Sequence, residues 1–196
     1  MTELRDHDEA FAYADDLLVG ELVRLRGTRD ADLPVLAGWM MDPAIRVTQS
    51  ASALPLSEAS ARADMAAWNA NKSADAGFSI ESLDEQPTLI GFASLFGVGA
   101  KDRCGTLGIV LGREFVGRGY GTDAVRVIVS FGFREMGLCR IQLGVYSFNV
   151  RAIAAYRKAG FVEEGRRREA IRHDGQAYDE VLMSILEREW RARPTA

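Results

Sequence analysis

Apolar positions change their period several times along the chain, and each change marks an element. Residues 21–26 (ELVRLR) alternate apolar and charged, the period of a half-buried strand. Thr28 or Asp30 can then cap a helix through about Met41, with Leu33, Leu36 and Trp39 as its apolar stripe. Ser57 starts a second helix, to about Asn71. Residues 78–83 and 88–97 read as a hairpin around Asp84-Glu85-Gln86-Pro87. Residues 103–112 are an apolar strand, and residues 119–136 a long helix with Gly137 as its C-cap. Residues 139–147 (CRIQLGVYS) are again strand, residues 149–159 a helix closed by Gly160. Two more strands surround the turn His173-Asp174-Gly175. Strands and helices mix without strict alternation, and no repeat or linker interrupts them. The pattern predicts a single α+β domain over residues 20–192. Residues 1–19 are an acidic N-terminal extension without a sustained period, in which Phe11, Tyr13, Leu17 and Leu18 could form a short helix packed on the body.

Composition narrows the class. At 196 residues the chain suffices for one well-cored domain and is short for two. Its 47% apolar and 27% charged residues are those of an ordinary soluble protein. A net charge of −4 argues against nucleic acid or an anionic membrane as partner and slightly favours a cationic substrate. Cys104 and Cys139 are too few for a disulfide framework or a zinc site. They read as reduced thiols in a cytoplasm, with no metal expected. No apolar run is long enough to span a membrane, and the polar start is not a signal peptide.

The candidate chemistry begins at residues 107–122 (LGIVLGREFVGRGYGT), where an apolar strand runs through a glycine loop into a helix. Glycines permit a tight turn and a close backbone approach, and a helix start offers unpaired N–H groups and a partial positive charge. Together these make a phosphate seat, the alternative being a plain tight turn. Gly119-Tyr120-Gly121-Thr122-Asp123-Ala124 also fits a dinucleotide pattern. That reading needs an acid at the end of the next strand for the ribose, and Tyr146-Ser147-Phe148-Asn149 supplies none. A nicotinamide cofactor is therefore disfavoured. A P-loop is excluded, because no Gly-Lys-Ser/Thr follows the glycines. About thirty residues on, Asn149 and Tyr156 stand seven apart, two helical turns, and so share a face.

The pair of segments GRGYGT (117–122) and NVRAIAAYRKAGF (149–161) resembles motifs A and B of the GNAT superfamily of N-acetyltransferases. The nearest likeness is to its ribosomal-protein and spermidine acetyltransferase-like branch. The resemblance extends over about residues 21–190, including the closing DEVLMSIL segment. It implies a GNAT fold: a mixed, mostly antiparallel twisted sheet of about seven strands with helices on both faces. Two parallel strands, residues 103–112 and 139–147, would splay around acetyl-CoA. Ile109 and Leu111 would pair their backbone with the pantetheine arm. The N–H groups of Val116, Gly117, Arg118, Gly119, Tyr120 and Gly121, with Thr122, would bind the pyrophosphate, and Arg118 could add charge. Asn149 would hydrogen-bond the cofactor near its pantetheine, and Tyr156 would point its hydroxyl at the sulfur.

The implied reaction is direct attack of a primary amine on the thioester of acetyl-CoA in a ternary complex, with Tyr156 as general acid. The acceptor would be a protein N-terminus, a polyamine or another small-molecule amine. A leaving thiolate of pKa about 8.5 can take a proton from a tyrosine of reference pKa about 10, and a backbone N–H of the splayed strand can serve the oxyanion. Many relatives carry a glutamate base where this chain has Thr106. That leaves Glu81 or a water chain as the base, or a non-catalytic acyl-CoA sensor module as the rival reading. His173 is expected as a solvated turn residue, and Arg166-Arg167-Arg168 as a solvated face rather than a 3′-phosphate contact. The extension could cover the acceptor cleft or form a homodimer contact, with a loosely attached terminus the favoured reading.

Overall fold

The computed structural model describes residues 4–49, 52 and 54–193. In chain order the elements are α1 (His7–Asp16), β1 (Val23–Arg26), α2 (Leu33–Met41), α3 (Pro43–Gln49), α4 (Glu58–Trp68), β2 (Ala76–Ser82), β3 (Leu89–Gly99), β4 (Cys104–Leu111), α5 (Tyr120–Arg134), β5 (Arg140–Tyr146), α6 (Val150–Ala159), β6 (Val162–His173), β7 (Gln176–Leu186) and α7 (Glu187–Arg191). The strands form one mixed sheet in the order β1-β2-β3-β4-β5-β7-β6. Every neighbouring pair is antiparallel except β4 and β5. This is the α+β architecture expected from the pattern, with helices on both faces.

Strand alternation assigns the two faces. On one, Ile141, Leu143 and Val145 of β5 and Val181, Met183 and Ile185 of β7 join Leu95 and Leu107 against Val125, Ile128 and Val129 of α5. Gly132 lets α5 press close, since a Cβ there would lie 2.8 Å from Leu95 Cδ1. On the other face, Leu36 of α2, Ile45 of α3 and Met65 of α4 cover Phe92 of β3 and Val110 of β4. The second core cluster takes no residue from β5, β7 or β6, and Gly144 of β5 is exposed there.

Several boundaries differ from the sequence reading for local reasons. Neither Thr28 nor Asp30 caps the first body helix. The Thr28 hydroxyl pairs instead with Ser79 Oγ at 2.9 Å. A 3₁₀ turn (Asp30–Asp32) leads into α2, and Arg29 donates its N–H to Asp32 Oδ2 at 2.8 Å. Ser57 does cap α4, accepting from the Ser60 N–H at 3.1 Å. That helix stops at Trp68 rather than Asn71, because Asn71 turns to a φ of +50° and brackets Gly77 with both side-chain atoms. Helix α3 begins at Pro43 and has too few turns for its period to stand out in the sequence.

In the extension, Leu18 packs on the core and the Tyr13 hydroxyl hydrogen-bonds Glu135, with Arg134 4.5 Å above its ring. Phe11, expected to pack, is 65% exposed. Glu135 and Arg134 close the C-terminal end of α5, whose 15 residues span about 22 Å. Tyr13 therefore docks at the end of α5 far from the glycine loop. Among the described residues, no helix is long and apolar enough to cross a membrane.

Candidate active site

The parallel pairing of β4 and β5 is short. It holds at Cys104 with Arg140, Gly105 with Ile141 and Thr106 with Gln142, and then ends while both strands continue. On its other edge β4 stays paired to β3 as far as Leu111. The Gly112 N–H donates to Ile90 O at 3.0 Å, which fixes the alternation of the antiparallel ladder. Gly108 and Val110 thus spend their backbone polar groups on β3. Leu107, Ile109 and Leu111 aim theirs into the opening. A strand edge left unpaired inside a fold is a ready template for an extended ligand. Gln49 of α3 takes one of these groups, its Nε2 donating to Ile109 O at 3.2 Å.

The opening belongs to a cavity of about 610 Å³. Its walls are α3 (Ile45, Thr48, Gln49), β4 (Ile109, Val110, Leu111), the glycine loop (Val116, Gly117, Gly119, Gly121, Thr122) and α6 (Asn149, Ala152, Tyr156). Gly117 and Gly119 hold φ of +85° and +91°, which L side chains rarely adopt, so the loop needs glycine at both. Gly119 is the N-cap of α5 and offers no side-chain cap. The first hydrogen bond of α5 runs from the Asp123 N–H to Gly119 O at 3.1 Å. The N–H groups of residues 117–122 precede it and have no backbone partner among the described residues. They form a nest of donors at the positive end of a 15-residue helix, suited to a pyrophosphate.

Asn149 caps α6, its Oδ1 accepting the Ala152 N–H at 3.2 Å, which leaves the side-chain NH₂ as a donor at the cavity wall. Two turns on, Tyr156 is 9% exposed, its ring 5.9 Å from Phe161. Burial alone pushes its hydroxyl up to about 12, with no charge or hydrogen bond contributing. The group is a proton donor held neutral throughout the physiological range.

Two of the predicted residues take other places. Arg118 is exposed and does not line the cavity. Tyr120 contributes backbone only, since its side chain is buried and its hydroxyl donates to Asp84 Oδ2 at 2.7 Å, tying the β2–β3 turn to the start of α5. Glu81 makes a poor base. Burial would raise its carboxyl, but hydrogen bonds from Arg26 and Arg24 outweigh that and hold it below the usual range. His173 is half-buried rather than a freely solvated turn residue: its ring lies 5.9 Å from Phe148 and 6.3 Å from Tyr146, and its Nε2 is buried without a partner among the described residues. Arg166 and Arg167 are engaged by Glu163 and Glu180. Sequence reasoning missed Arg113, Arg151 and Lys158, which bring positive charge to the cavity wall. The seven-residue spacing of Arg151 and Lys158, matching that of Asn149 and Tyr156, was the available signal.

A sheet splayed between its two parallel strands, with a donor-lined glycine loop at the mouth, is the arrangement implied by the GNAT resemblance. Residues 23–162 match the acetyltransferase (GNAT) domain family, and the chain belongs to that family. It is 27% identical to the N-acetyltransferase p20 of Bacillus licheniformis over 89% of this chain and 98% of that one. It is 32% identical to YdaF of Bacillus subtilis, provisionally named a ribosomal N-acetyltransferase, over 53% of this chain and 56% of YdaF. The chain thus spans about half the length of YdaF, and likewise 55% of YjcK from the same organism. Among solved structures, spermidine N-acetyltransferase from Vibrio cholerae in complex with CoA and spermine superposes with a TM-score of 0.77. Identity is 23%, covering 86% of this chain and 98% of that one, which shows a shared fold.

Proposed function

We propose that the chain is an acetyl-CoA-dependent N-acetyltransferase that moves an acetyl group to a primary amine. The observation that carries this is the edge of β4 at Ile109 and Leu111, left without a strand partner and running toward residues 117–122, whose N–H groups have no backbone partner among the described residues. An extended amide-bearing arm followed by a pyrophosphate fits that series of donors and acceptors, and acetyl-CoA has both. Ile109 and Leu111 would hold the arm, and the N–H groups of residues 117–122 the pyrophosphate, since the Val116 N–H, also expected there, donates to Arg113 O at 3.4 Å. The side-chain NH₂ of Asn149 would meet the arm from the opposite wall.

When bound, acetyl-CoA supplies an acyl group already activated as a thioester. The chain's own contribution is to position it, to offer a backbone N–H of β4 to developing negative charge, and to manage two protons. The acceptor nitrogen forms a bond to the acyl carbon as the carbon–sulfur bond breaks. Tyr156 gives its proton to the departing sulfur and regains one afterwards. The acceptor's own proton leaves through water, since Glu81 is committed to Arg24 and Arg26.

A cytoplasmic setting accords with two free thiols, Cys104 and Cys139. Self-association would use α1, whose Phe11 stands exposed. The test is calorimetry with acetyl-CoA against an NADH control, followed by thiol release with a panel of amines. Micromolar binding of acetyl-CoA alone with amine-dependent release is expected. Binding without release from any amine would make the chain a non-catalytic acyl-CoA sensor, and no binding would reduce the glycine loop to a turn.

A further inference from the structure

The side chains that face the splay from β5 and β7 lie on the sheet face of the second core cluster, in the part to which that cluster contributes no residue. Pairing places Thr106 and Gln142 at the closed end of the gap. Beyond them, by continuation of that register, Gly108 and Gly144 stand on its two sides, leaving it unobstructed. Across β5 and β7, Gly144 pairs with Leu182 and Tyr146 with Glu180. Glu180 leans back from its own partner over Gly144: a Cβ built there would meet Glu180 Oε1 at 2.2 Å. Its carboxylate therefore lies on the bare backbone of the splayed strand. No role in the proposed mechanism uses it.

Its surroundings suit a cation. Tyr146 beside it has its hydroxyl raised by burial and then by the Glu180 charge, which marks the carboxylate as a near neighbour. Phe148 packs 5.6 Å from the Tyr146 ring and 5.0 Å from Tyr178, so aromatic faces continue the wall outward. Arg167 donates to Glu180 Oε2 at 2.9 Å, from a side chain 67% exposed. Such an exposed pair is weak, so it orients the carboxylate and leaves Oε1 to another partner.

We propose that Glu180 is the anionic anchor of the acceptor, receiving a primary alkylammonium on Oε1 over Gly144 while its stem lies against Tyr146. This rests on the acetyltransferase reading and sharpens it. The acceptor is a cationic alkyl amine, not a neutral arylamine or an alcohol. Glu180 binds the ammonium, and loss of the proton to water then frees the nitrogen for attack.

The test measures butylamine and aniline as acceptors, with acetyl-CoA affinity determined separately by calorimetry. Wild type should release thiol with butylamine and not with aniline. Glu180→Gln should raise the KM for butylamine by about tenfold or more, the loss of a charge-assisted contact, with kcat and acetyl-CoA affinity little changed. Gly144→Ala should reproduce the rise, because the new methyl displaces the carboxylate without removing its charge. Arg167→Gln should leave KM unchanged or lower. An unchanged KM in Glu180→Gln, or an equal rise in Arg167→Gln, would overturn the proposal and leave the enzyme reading intact. So would binding of acetyl-CoA with no preference for the charged amine. Absence of acetyl-CoA binding by wild type would instead remove the acetyltransferase reading itself, and the anchor with it.

Discussion

Gln49 and Ile109 are joined by a hydrogen bond that an incoming cofactor must break. The side-chain amide of Gln49, on α3, donates to the Ile109 carbonyl at 3.2 Å, on the edge of β4 that faces the splay. A pantetheine amide lying along that edge would need the same carbonyl. An exposed neutral hydrogen bond contributes about 1 kcal/mol net, equivalent to roughly fivefold in an equilibrium constant. Gln49→Ala should therefore tighten acetyl-CoA by up to about fivefold, measured by calorimetry. Weaker binding in the variant would mean that Gln49 holds the cofactor rather than standing in for it.

Tyr156 gives the sharpest division between binding and chemistry. Its ring packs against Phe161 and its hydroxyl is held near 12 by burial, so Phe can replace it without loss of packing. Tyr156→Phe should leave acetyl-CoA affinity nearly intact and lower turnover by about 10²-fold or more, the usual worth of a positioned proton donor. Because the folded-state value lies far above neutrality, Tyr156 should contribute no loss of turnover between pH 6 and about 10. An alkaline fall centred near pH 8 that vanishes in the variant would contradict this assignment.

The two motifs made the donor side of the cleft legible in the sequence, because glycine spacing and a shared helix face are local signals. Gly117, Gly119, Asn149 and Tyr156 all reach one cavity. Side chains whose partners come from distant segments were not legible. Tyr120 reads as part of the phosphate loop, yet Asp84 claims its hydroxyl from a turn 36 residues earlier. Glu81 reads as a spare carboxylate until pairing of β1 with β2 sets Arg24 opposite it and brings Arg26 to its other oxygen. His173 reads as a turn residue, and the rings of Tyr146 and Phe148, from the end of β5, half-bury it. In each case long-range pairing decides where a polar group goes, and periodicity along one segment carries no trace of it.

Arg151 and Lys158 line the cavity on α6 in a chain whose net charge is −4. Local positive charge at the mouth of an acidic protein serves a polyanionic ligand. Replacing both with Glu should weaken acetyl-CoA by about tenfold at low salt, with the difference shrinking as ionic strength rises. The acetyl-bearing pantetheine fragment, which lacks the nucleotide phosphates, should bind the variant and wild type alike. A salt-independent loss, or an equal loss for the fragment, would place the defect in the packing of α6 instead.

The group formed by Arg24, Arg26, Asp32 and Glu81 should act on stability rather than turnover. Arg26 bridges both acids, with NH1 2.6 Å from Asp32 and Nε 2.9 Å from Glu81, and the two acids are 6% and 5% exposed. For each, burial pushes the carboxyl up, but guanidinium hydrogen bonds prevail and its pKa is lowered in the fold. A folded pKa below the unfolded value of about 4 gives stability that is complete at neutral pH. It is lost as pH falls through the folded-state values. Glu81→Gln leaves Arg26 with Asp32 alone and takes from Arg24 its carboxylate, and should cost about 3 kcal/mol at pH 7 in urea unfolding. The gap between variant and wild type should narrow below about pH 4, where wild type loses the same interaction. Acetyl-CoA affinity and the pH dependence of turnover in the surviving folded fraction should match wild type. A lost acidic limb in that profile would return Glu81 to the role of proton acceptor.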